Sequence, residues 1–224
     1  MLLARGRPRP VCHMQKRPSY SDTSFALNLC DALASEHGGT HPKILSVVDS
    51  VKAAESAADL ASALCRLACE VLHGLPFKLT VQAIQALHRV SRSAPAQCLL
   101  AATTLWPGAL NHKNREVRGL TMHLLTRLCT VAAADLTPRQ LDECVLDIGL
   151  PAQLAALLTS AVSSAAIRVP AALALRGLMR APHIVTSCKK DGQLAVLLRD
   201  RKRGRARQDL KPLHALLGHL EPRR

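Results

Sequence analysis

The chain has 224 residues, of which 48% are apolar and 2% aromatic, and its formal net charge is +14 at pH 7. This length is enough for one extended domain with an aliphatic core built mainly from leucine and alanine. No apolar run approaches the roughly 18 residues of a transmembrane helix, so we expect a soluble protein. No segment alternates apolar with polar residues over several positions, which leaves strands little support. The expected fold class is therefore all-α.

Residues 1–20 form a basic arm that contains five Lys or Arg residues, three prolines and no acid. Because the prolines oppose helix formation, we expect this arm to be disordered. An acid-free start with several arginines is also typical of mitochondrial presequences, although the prolines would disrupt the amphipathic helix that a presequence needs. Ser21-Asp22 predicts the cap of a first helix, which ends near His37 before Gly38-Gly39.

Apolar residues at helical spacing continue from there to Asp147. The predicted helices span residues 42–54, 57–72, 79–90, 95–105, 114 to about 133 or 134, and 138–147. Trp106-Pro107-Gly108 is expected to close the helix before it, and Asn114 to cap the long helix after it, where the sequence resembles HEAT units. Thr137-Pro138-Arg139-Gln140 combines capping-box spacing with a proline that suits the first helical position, which predicts a helix start at Pro138.

The stretch from Gly149 to Met179 carries two apolar helical stripes separated by a polar turn over residues 159–164. The first stripe consists of Leu150, Leu154, Leu157 and Leu158, and the second of Ile167, Ala171, Leu175 and Leu178. Pro170 is expected in the first turn of the second helix, where its missing N–H costs little. Neither stripe can be buried alone, so this two-helix unit must stack on neighbours with a similar pattern.

The pattern does recur along the chain. A second glycine-headed apolar segment begins at Gly192, offset by 43 residues from Gly149, which lies within the period of about 40–47 for armadillo and HEAT repeats. The spacing of the second stripe is repeated by Val117, Thr121, Leu125 and Leu128, and by Leu79, Ala83, Leu87 and Val90. The offsets of 50 and 38 residues are irregular but average within the same range.

Residues 149–198 resemble armadillo repeats, clearly so in Gly149-Leu150-Pro151 and in Ala171-Ala172-Leu173-Ala174-Leu175-Arg176-Gly177-Leu178. The resemblance implies a right-handed α-solenoid of armadillo- or HEAT-like repeats with a concave binding groove. The family's groove asparagine is Gly177 here, with Arg127 and Arg89 at the matching places of the earlier units. This departure argues against recognition of nuclear-localisation signals.

The resemblance and the composition divide the chain into a disordered basic arm (1–20), a helical repeat domain (21–198), a basic loop (199–209), and a capping helix and tail (210–224). The capping helix is expected over residues 210–220. Residues 1–20 contribute +5 to the net charge, residues 189–224 contribute +7 and the body between them +2. The loop residues Arg201, Lys202, Arg203, Arg205 and Arg207 suit nuclear targeting or phosphate contact, or are simply solvated.

No catalytic or metal-binding pattern emerges. The sequence lacks a phosphate-binding glycine loop, H-E-x-x-H and G-x-S-x-G, and its acids are too scattered to nominate a catalytic pair. His214 and His219 are five residues apart and would point away from each other on a helix, so we do not expect them to share a metal ion. The eight cysteines include no C-x-x-C pair, and we interpret them as small buried thiols. We expect the chain not to be an enzyme and to bind no cofactor and no metal. We expect it to lie in a reducing compartment, namely the cytoplasm, the nucleus or both, with the mitochondrion as the alternative.

Three functional hypotheses follow. The first is a non-enzymatic protein-interaction scaffold or adaptor, in which Arg89 and Arg127, with Arg176 one place off register, present a basic ladder to an acidic or extended partner segment. The same arginines would otherwise be ordinary solvated positions. The second is a nucleic-acid-associated protein, such as a nuclear or organellar ribonucleoprotein component, that uses its basic termini. The third is a fragment of a larger armadillo protein. None of them requires a membrane.

Overall fold

The computed structural model of the chain describes residues 19–37, 42–131, 133, 135–160, 163–190 and 194. Every regular element in these residues is helical and none is a strand, which confirms the all-α class. The helices are α1 (Tyr20–His37), α2 (Pro42–Lys52), α3 (Ala57–Gly74), α4 (Phe77–Val90), α5 (Pro95–Ala101), α6 (Leu105–Leu110), α7 (Arg115–Val131), α8 (Pro138–Leu141), α9 (Leu150–Thr159), α10 (Ala165–Leu178) and α11 (Pro182–Lys190). The π-helical turn Asp142–Leu146 continues α8. No helix among the described residues is long and apolar enough to cross a membrane.

Two predicted helix starts are confirmed by their hydrogen bonds. The Thr137 hydroxyl accepts a hydrogen bond from the Gln140 backbone N–H while the Gln140 side chain accepts one from the Thr137 backbone N–H, which completes the capping box. The Asn114 Oδ1 atom accepts from the backbone N–H groups of Glu116 and Val117, at 2.8 and 3.3 Å. These caps satisfy donors that the first helical turn leaves free.

The first helix starts two residues earlier than the sequence suggested. The Ser19 Oγ atom accepts from the Asp22 backbone N–H and donates to the Asp22 carboxylate, so Ser19 is the cap and Asp22 lies in the first turn. The predicted cap at Ser21-Asp22 is therefore wrong, because a serine three residues before an acid makes the better reciprocal pair.

Trp106-Pro107-Gly108 does not close a helix but lies inside α6. Pro107 is the third residue of that helix, where a missing N–H breaks no intrahelical bond. Trp106 is fully buried, and a Cβ atom on Gly108 would come within 2.7 Å of the Leu72 side chain. The segment is helical because it packs closely on α3.

The position of Pro170 also differs from the prediction. It is the sixth residue of α10, beyond the first turn, and its side chain is buried. The Thr126 Oγ1 atom of α7 donates to the Pro170 carbonyl oxygen at 2.9 Å. An interior proline removes a helical hydrogen bond, so packing on α7 accounts for a position that local preference disfavours.

Gly149 takes the left-handed conformation, with φ +63°, immediately before α9. Few residues other than glycine adopt this φ, so the glycine of Gly149-Leu150-Pro151 sets the turn from which α9 leaves. Pro151 follows in the first turn of α9, as the sequence predicts.

Several helices of the described structure pack on the helix that lies three positions further along the chain. Helix α4 packs on α7, and α7 packs on α10 in the most extensive helix pair of the described structure. In the flanking layers α3 contacts α6, α5 contacts the π-helical turn, and α8 contacts α11. We call α4, α7 and α10 the helix stack.

A single cluster of buried apolar side chains runs through these layers from Ala26 in α1 to Leu194. The two predicted stripes of residues 149–179 supply much of it, since all of their members are buried except Leu157, which is half-buried. Predictions for residues 1–18, 38–41, 191–193 and 195–224 lie outside the described residues; these include the basic arm, Gly38-Gly39, Gly192, the basic loop and the helix over 210–220.

Helices α7 and α10 approach so closely at Gly177 that no side chain fits there. A Cβ atom at this position would lie 2.7 Å from both the carbonyl carbon and the oxygen of Cys129. Thr126 of α7 contacts Pro170 of α10, and Cys129, further along α7, lies against Gly177, further along α10. The contacts therefore advance in the same direction along both helices, which means that the two helices are parallel. Gly177 is therefore a packing residue in this chain.

Replacing Leu175 with alanine should lower the free energy of unfolding by about 2–5 kcal/mol, because a fully buried leucine leaves a cavity. Leu173→Ala on the same helix is the matched control, since Leu173 is 37% exposed and should cost much less. Urea unfolding followed by circular dichroism measures both. Equal losses in the two variants would show that the inward face of α10 is assigned incorrectly.

Two glycine-to-alanine changes should have opposite effects. Gly177→Ala forces a methyl group against the α7 backbone and should destabilise the fold by about 1–3 kcal/mol. Gly119→Ala, on α7, meets no atom within 4 Å and should stabilise it by about 0.4–1 kcal/mol through the unfolded state. Thermal unfolding midpoints compare the pair, and a neutral Gly177→Ala would contradict the close approach.

Candidate functional site

Basic side chains gather where the stack helices end. Arg89 lies in the last turn of α4, Arg127 near the end of α7 and Arg176 in the last turn of α10. Helices α7 and α10 are parallel, and His88 near the end of α4 is in electrostatic reach of Arg127. The three arginines of the predicted ladder therefore lie toward the same end of the stack.

Arg89 is exposed, but its guanidinium group is already engaged within the protein. Its Cζ atom lies 4.2 Å from the centre of the Phe25 ring of α1. A cation over an aromatic face contributes about 0.5–1 kcal/mol at such a site. Arg89 therefore helps to hold α1 against α4, a role that the sequence did not predict.

Arg127 is half-buried between α7 and its neighbours. Its charge acts on His88 of α4 and on the Cys98 thiol of α5. Its Nε atom is buried, and no described residue accepts a hydrogen bond from it. A buried charged donor without an acceptor is unusual in folded proteins.

Arg176 and Arg180 are exposed at the end of α10 and form no ion pair with a described acid. Val169 and Leu173 precede them on the same helical face and are among the exposed large apolar side chains. This end of the stack therefore offers apolar surface beside positive charge, a combination suited to a partner segment with both apolar and acidic residues.

Four further basic or titratable residues of this region were not among the predicted site residues: His88, Arg92, His123 and Arg180. Arg92 follows α4 directly, and His123 is exposed on α7. A readable signal was the absence of acids: no Asp or Glu occurs between Glu70 and Glu116, and none between Asp147 and Asp191. The small net charge of the body conceals this segregation. We call Arg89, Arg92, Arg127, Arg176 and Arg180 the basic edge.

The electrostatics of His88 report this crowding of positive charge. Burial lowers the pKa of its imidazole below the ordinary value of 6.5, and Arg127, Arg92 and His123 lower it further. No carboxylate among the described residues contributes in the opposite direction. Burial first, and the cationic neighbours in addition, therefore favour the neutral form of this imidazole.

Part of the basic edge has a simpler role. Arg89 and Arg176 lie in last helical turns, where a cation interacts favourably with the helix dipole and the terminal carbonyl groups. Arg127 precedes the last turn of α7 and is half-buried, so the dipole explains it less well. Arg127 is therefore the member of these three whose position the helix dipole explains least.

The described residues contain no group of three or more His, Cys, Asp or Glu side chains that could hold a metal ion. Seven cysteines lie in the described residues as free thiols, and all but Cys69 are buried. Burial raises the pKa of Cys98 to about 12 and that of Cys144 to about 11, which suppresses the nucleophilic thiolate. These cysteines behave as core residues.

A half-open cavity of about 210 Å³ lies between the start of α9 and α11. Its lining is mainly small and apolar, and includes Pro151, Ala152, Ser187 and Cys188. None of the described residues that line it carries a charged side chain.

Replacing Arg127 with methionine should raise the pKa of His88 toward 6.5, because one of the nearby positive charges is removed while burial remains. In the unaltered protein the unfolded state binds more protons than the folded state as pH falls below 6.5. His88 therefore lowers the free energy of unfolding as the pH falls, and the Arg127→Met variant should lose less of this free energy than the unaltered protein. NMR titration of the imidazole measures the pKa, with Arg66→Met on α3 as the control. An unmoved pKa would refute the proximity of Arg127 and His88.

Comparison with protein-family models, with curated proteins and with solved structures gives no match for this chain. The resemblance of residues 149–198 to armadillo repeats therefore stays a prediction. The chemistry of the basic edge itself is the basis for a functional proposal.

Proposed function

We propose that the chain is a non-enzymatic adaptor that binds an acidic, extended segment of a partner protein along the helix stack. The basic edge carries this proposal, because its arginines face solvent or are half-buried without an ion pair to any described acid. A surface of one charge sign attracts and orients a partner of the opposite sign.

The spacing of the stack suits an extended chain. Packed helices are about 8–10 Å apart, so arginines on successive stack helices are separated by roughly that distance. An extended segment in the polyproline II conformation advances about 3.1 Å per residue with three residues per turn. Acids at every third position would therefore lie on one face of the segment and meet successive helices. The exposed apolar side chains Val169 and Leu173 would contact apolar residues of the same segment.

The architecture that we propose is a right-handed α-solenoid of armadillo- or HEAT-like repeats. It is supported by packing that returns to the stack at every third helix, and by Gly149-Leu150-Pro151 at the start of α9. Such solenoids bind extended partners along continuous surfaces. The free thiols favour a reducing compartment, the cytoplasm or nucleus, over an oxidising one, and the mitochondrion stays an alternative.

The structure changes which residues should be tested. Arg89 holds Phe25 and Arg127 is half-buried, so reversing their charges would disturb packing as well as binding. Arg92, Arg176 and Arg180 are exposed, and their charges can be reversed with less effect on the fold.

The triple variant Arg92→Glu, Arg176→Glu and Arg180→Glu should weaken binding of an acidic peptide at least tenfold, because it replaces attraction by repulsion. The probe is a fluorescent nine-residue peptide with glutamate at every third position and serine or leucine between, measured by anisotropy with the full chain. The matched control reverses the exposed Lys43, Arg66 and Lys113, which lie on α2, on α3 and before the start of α7.

Equal weakening in the test and control variants would contradict the proposal, as would a failure of the peptide to bind the unaltered chain. A single-stranded RNA of equal charge tests the alternative function. Tighter binding of that RNA, lost on deletion of residues 1–20 and 199–207, would favour a nucleic-acid-associated protein acting through its basic termini.

A further inference from the structure

An aromatic ring supports one arginine of the basic edge. The Cζ atom of Arg89 lies over the Phe25 ring, 4.2 Å from its centre. Phe25 is half-buried and packs against the apolar core, so the core holds the ring in place. No ring contact is found for Arg92, Arg176 or Arg180 among the described residues. We call Arg89 and Phe25 the stacked pair.

The hydrogen-bond donors of Arg89 are open to a ligand. Its side chain is exposed and forms no hydrogen bond or ion pair with a described residue. The N–H donors of a guanidinium group lie in its plane, so an aromatic ring on its face leaves their directions unobstructed. The stacked pair therefore combines a supported face with an open donor edge.

The helices of the stacked pair supply no carboxylate to it. Helix α4 contains no acid. Among the described side chains of α1, Asp22 accepts from the Ser19 hydroxyl at 2.6 Å and Asp31 pairs with Lys52 at 2.7 Å. An exposed guanidinium group that is held in place without a carboxylate is suited to bind an external one.

We propose that the stacked pair binds the side-chain carboxylate of a glutamate or aspartate in the partner segment, with Arg89 as the bidentate donor. This inference rests on the proposed function and names the residue that anchors the acidic segment. Arginine and a carboxylate form two parallel N–H···O bonds, which fix the orientation of the partner group as well as its charge. Arg92, Arg176 and Arg180 then act mainly through their charge.

Support by the ring strengthens such a contact. An unsupported arginine loses side-chain freedom when it binds, and this loss reduces the affinity. Contact with Phe25 already restricts Arg89 in the unbound protein, so less freedom remains to be lost. The stacked pair should therefore contribute more to binding than an arginine of the basic edge without a ring.

A purely structural role makes different demands on residue 89. Contact with Phe25 and the last turn of α4 both favour a positive charge there, and a lysine satisfies both. Neither uses the donor edge of the guanidinium group. Recognition of a carboxylate requires the planar fork, which lysine lacks. Arg89→Lys therefore separates the two roles.

The place of α4 in the helix stack adds an expectation about the partner. Helix α7 packs on both α4 and α10, so α4 lies at one end of the stack. An acidic segment that runs along the stack should therefore present a terminal glutamate to Arg89 rather than a central one.

Glutamate-to-glutamine peptides test the proposal with the full chain. The parent is the fluorescent acidic probe with an amidated C-terminus, so that only side chains carry carboxylates, and each derivative replaces one of its glutamates. Arg89→Lys should weaken binding of the parent about fivefold. One derivative that lacks a terminal glutamate should lose this dependence on residue 89, which would identify coupling between the two residues.

Matched variants make the test specific. Arg92→Lys, at an exposed arginine without a ring, should change the affinity by less than about twofold. Phe25→Leu removes the aromatic face and should weaken binding about threefold, whereas Phe77→Leu, at the exposed aromatic residue that begins α4, should not. Thermal unfolding establishes that each variant is folded.

A measurement on the unaltered chain decides the question if Arg89→Lys or Phe25→Leu unfolds. The NMR resonance of the Arg89 Nε–H group, recorded in cooled and mildly acidic buffer, should move with the parent peptide. It should stay in place with one derivative that lacks a terminal glutamate. A resonance that does not respond to the parent peptide would contradict the bidentate contact.

The other outcomes distinguish this inference from the proposed function. Binding that is weakened by the triple charge reversal but unchanged in Arg89→Lys and Phe25→Leu would overturn the anchoring role and leave the adaptor proposal standing. Equal coupling of Arg89 to every glutamate would also overturn it, because one fork holds one carboxylate. Failure of the parent peptide to bind the unaltered chain would overturn both.

Discussion

The close approach of α7 and α10 is the constraint on which the rest of the described structure depends. It requires a glycine at residue 177, where a Cβ atom would meet the backbone of Cys129, and it buries Pro170 against Thr126. Helices that touch through backbone have little freedom to slide or rotate against each other. The same contact therefore fixes the direction of α10 relative to α7, and with it the position of Arg176 at the end of the stack that also holds Arg127. Packing and the arrangement of the basic edge are two consequences of one helix–helix contact.

Helical class, most helices and their inward stripes were predictable from the sequence because periodic apolar spacing records burial directly. The Thr137 and Asn114 caps were predictable because side-chain capping is local. Errors came where a distant helix overrides local preference. Pro170 is tolerated beyond the first turn of α10 through its packing on α7, and Trp106-Pro107-Gly108 is helical because it packs on α3. The residues next to these positions in the sequence do not show which distant helix packs on them.

For the site, repeat matching located the three arginines but not their surroundings. Arg89 and Arg127 occupy equivalent places in the pattern, yet one covers the Phe25 ring and the other has a buried Nε atom without an acceptor among the described residues. These differences come from the helix that packs on each arginine, α1 in the first case and α4 with α5 in the second. The contribution of His88 depends on the same packing, since burial and Arg127 act together on its pKa. The sequence shows that residues 71–115 contain no acid, but it does not show which helices pack together and thus which basic residues lack a nearby acid.

The separation of basic from acidic residues has an energetic cost, and no ion pair among the described residues offsets it at the basic edge. Like charges held along one edge repel one another, and they lower the stability of the compact state relative to an expanded chain. The acids of the described residues lie mainly before residue 71 and between residues 135 and 147, and their ion pairs join them to Lys52, Arg139 and His183. None of these pairs involves the basic edge. A partner that brings negative charge would therefore relieve repulsion as well as form new contacts, and each anion bound near Arg127 would also favour protonation of His88. Binding at the basic edge and the charge state of His88 are linked by this repulsion.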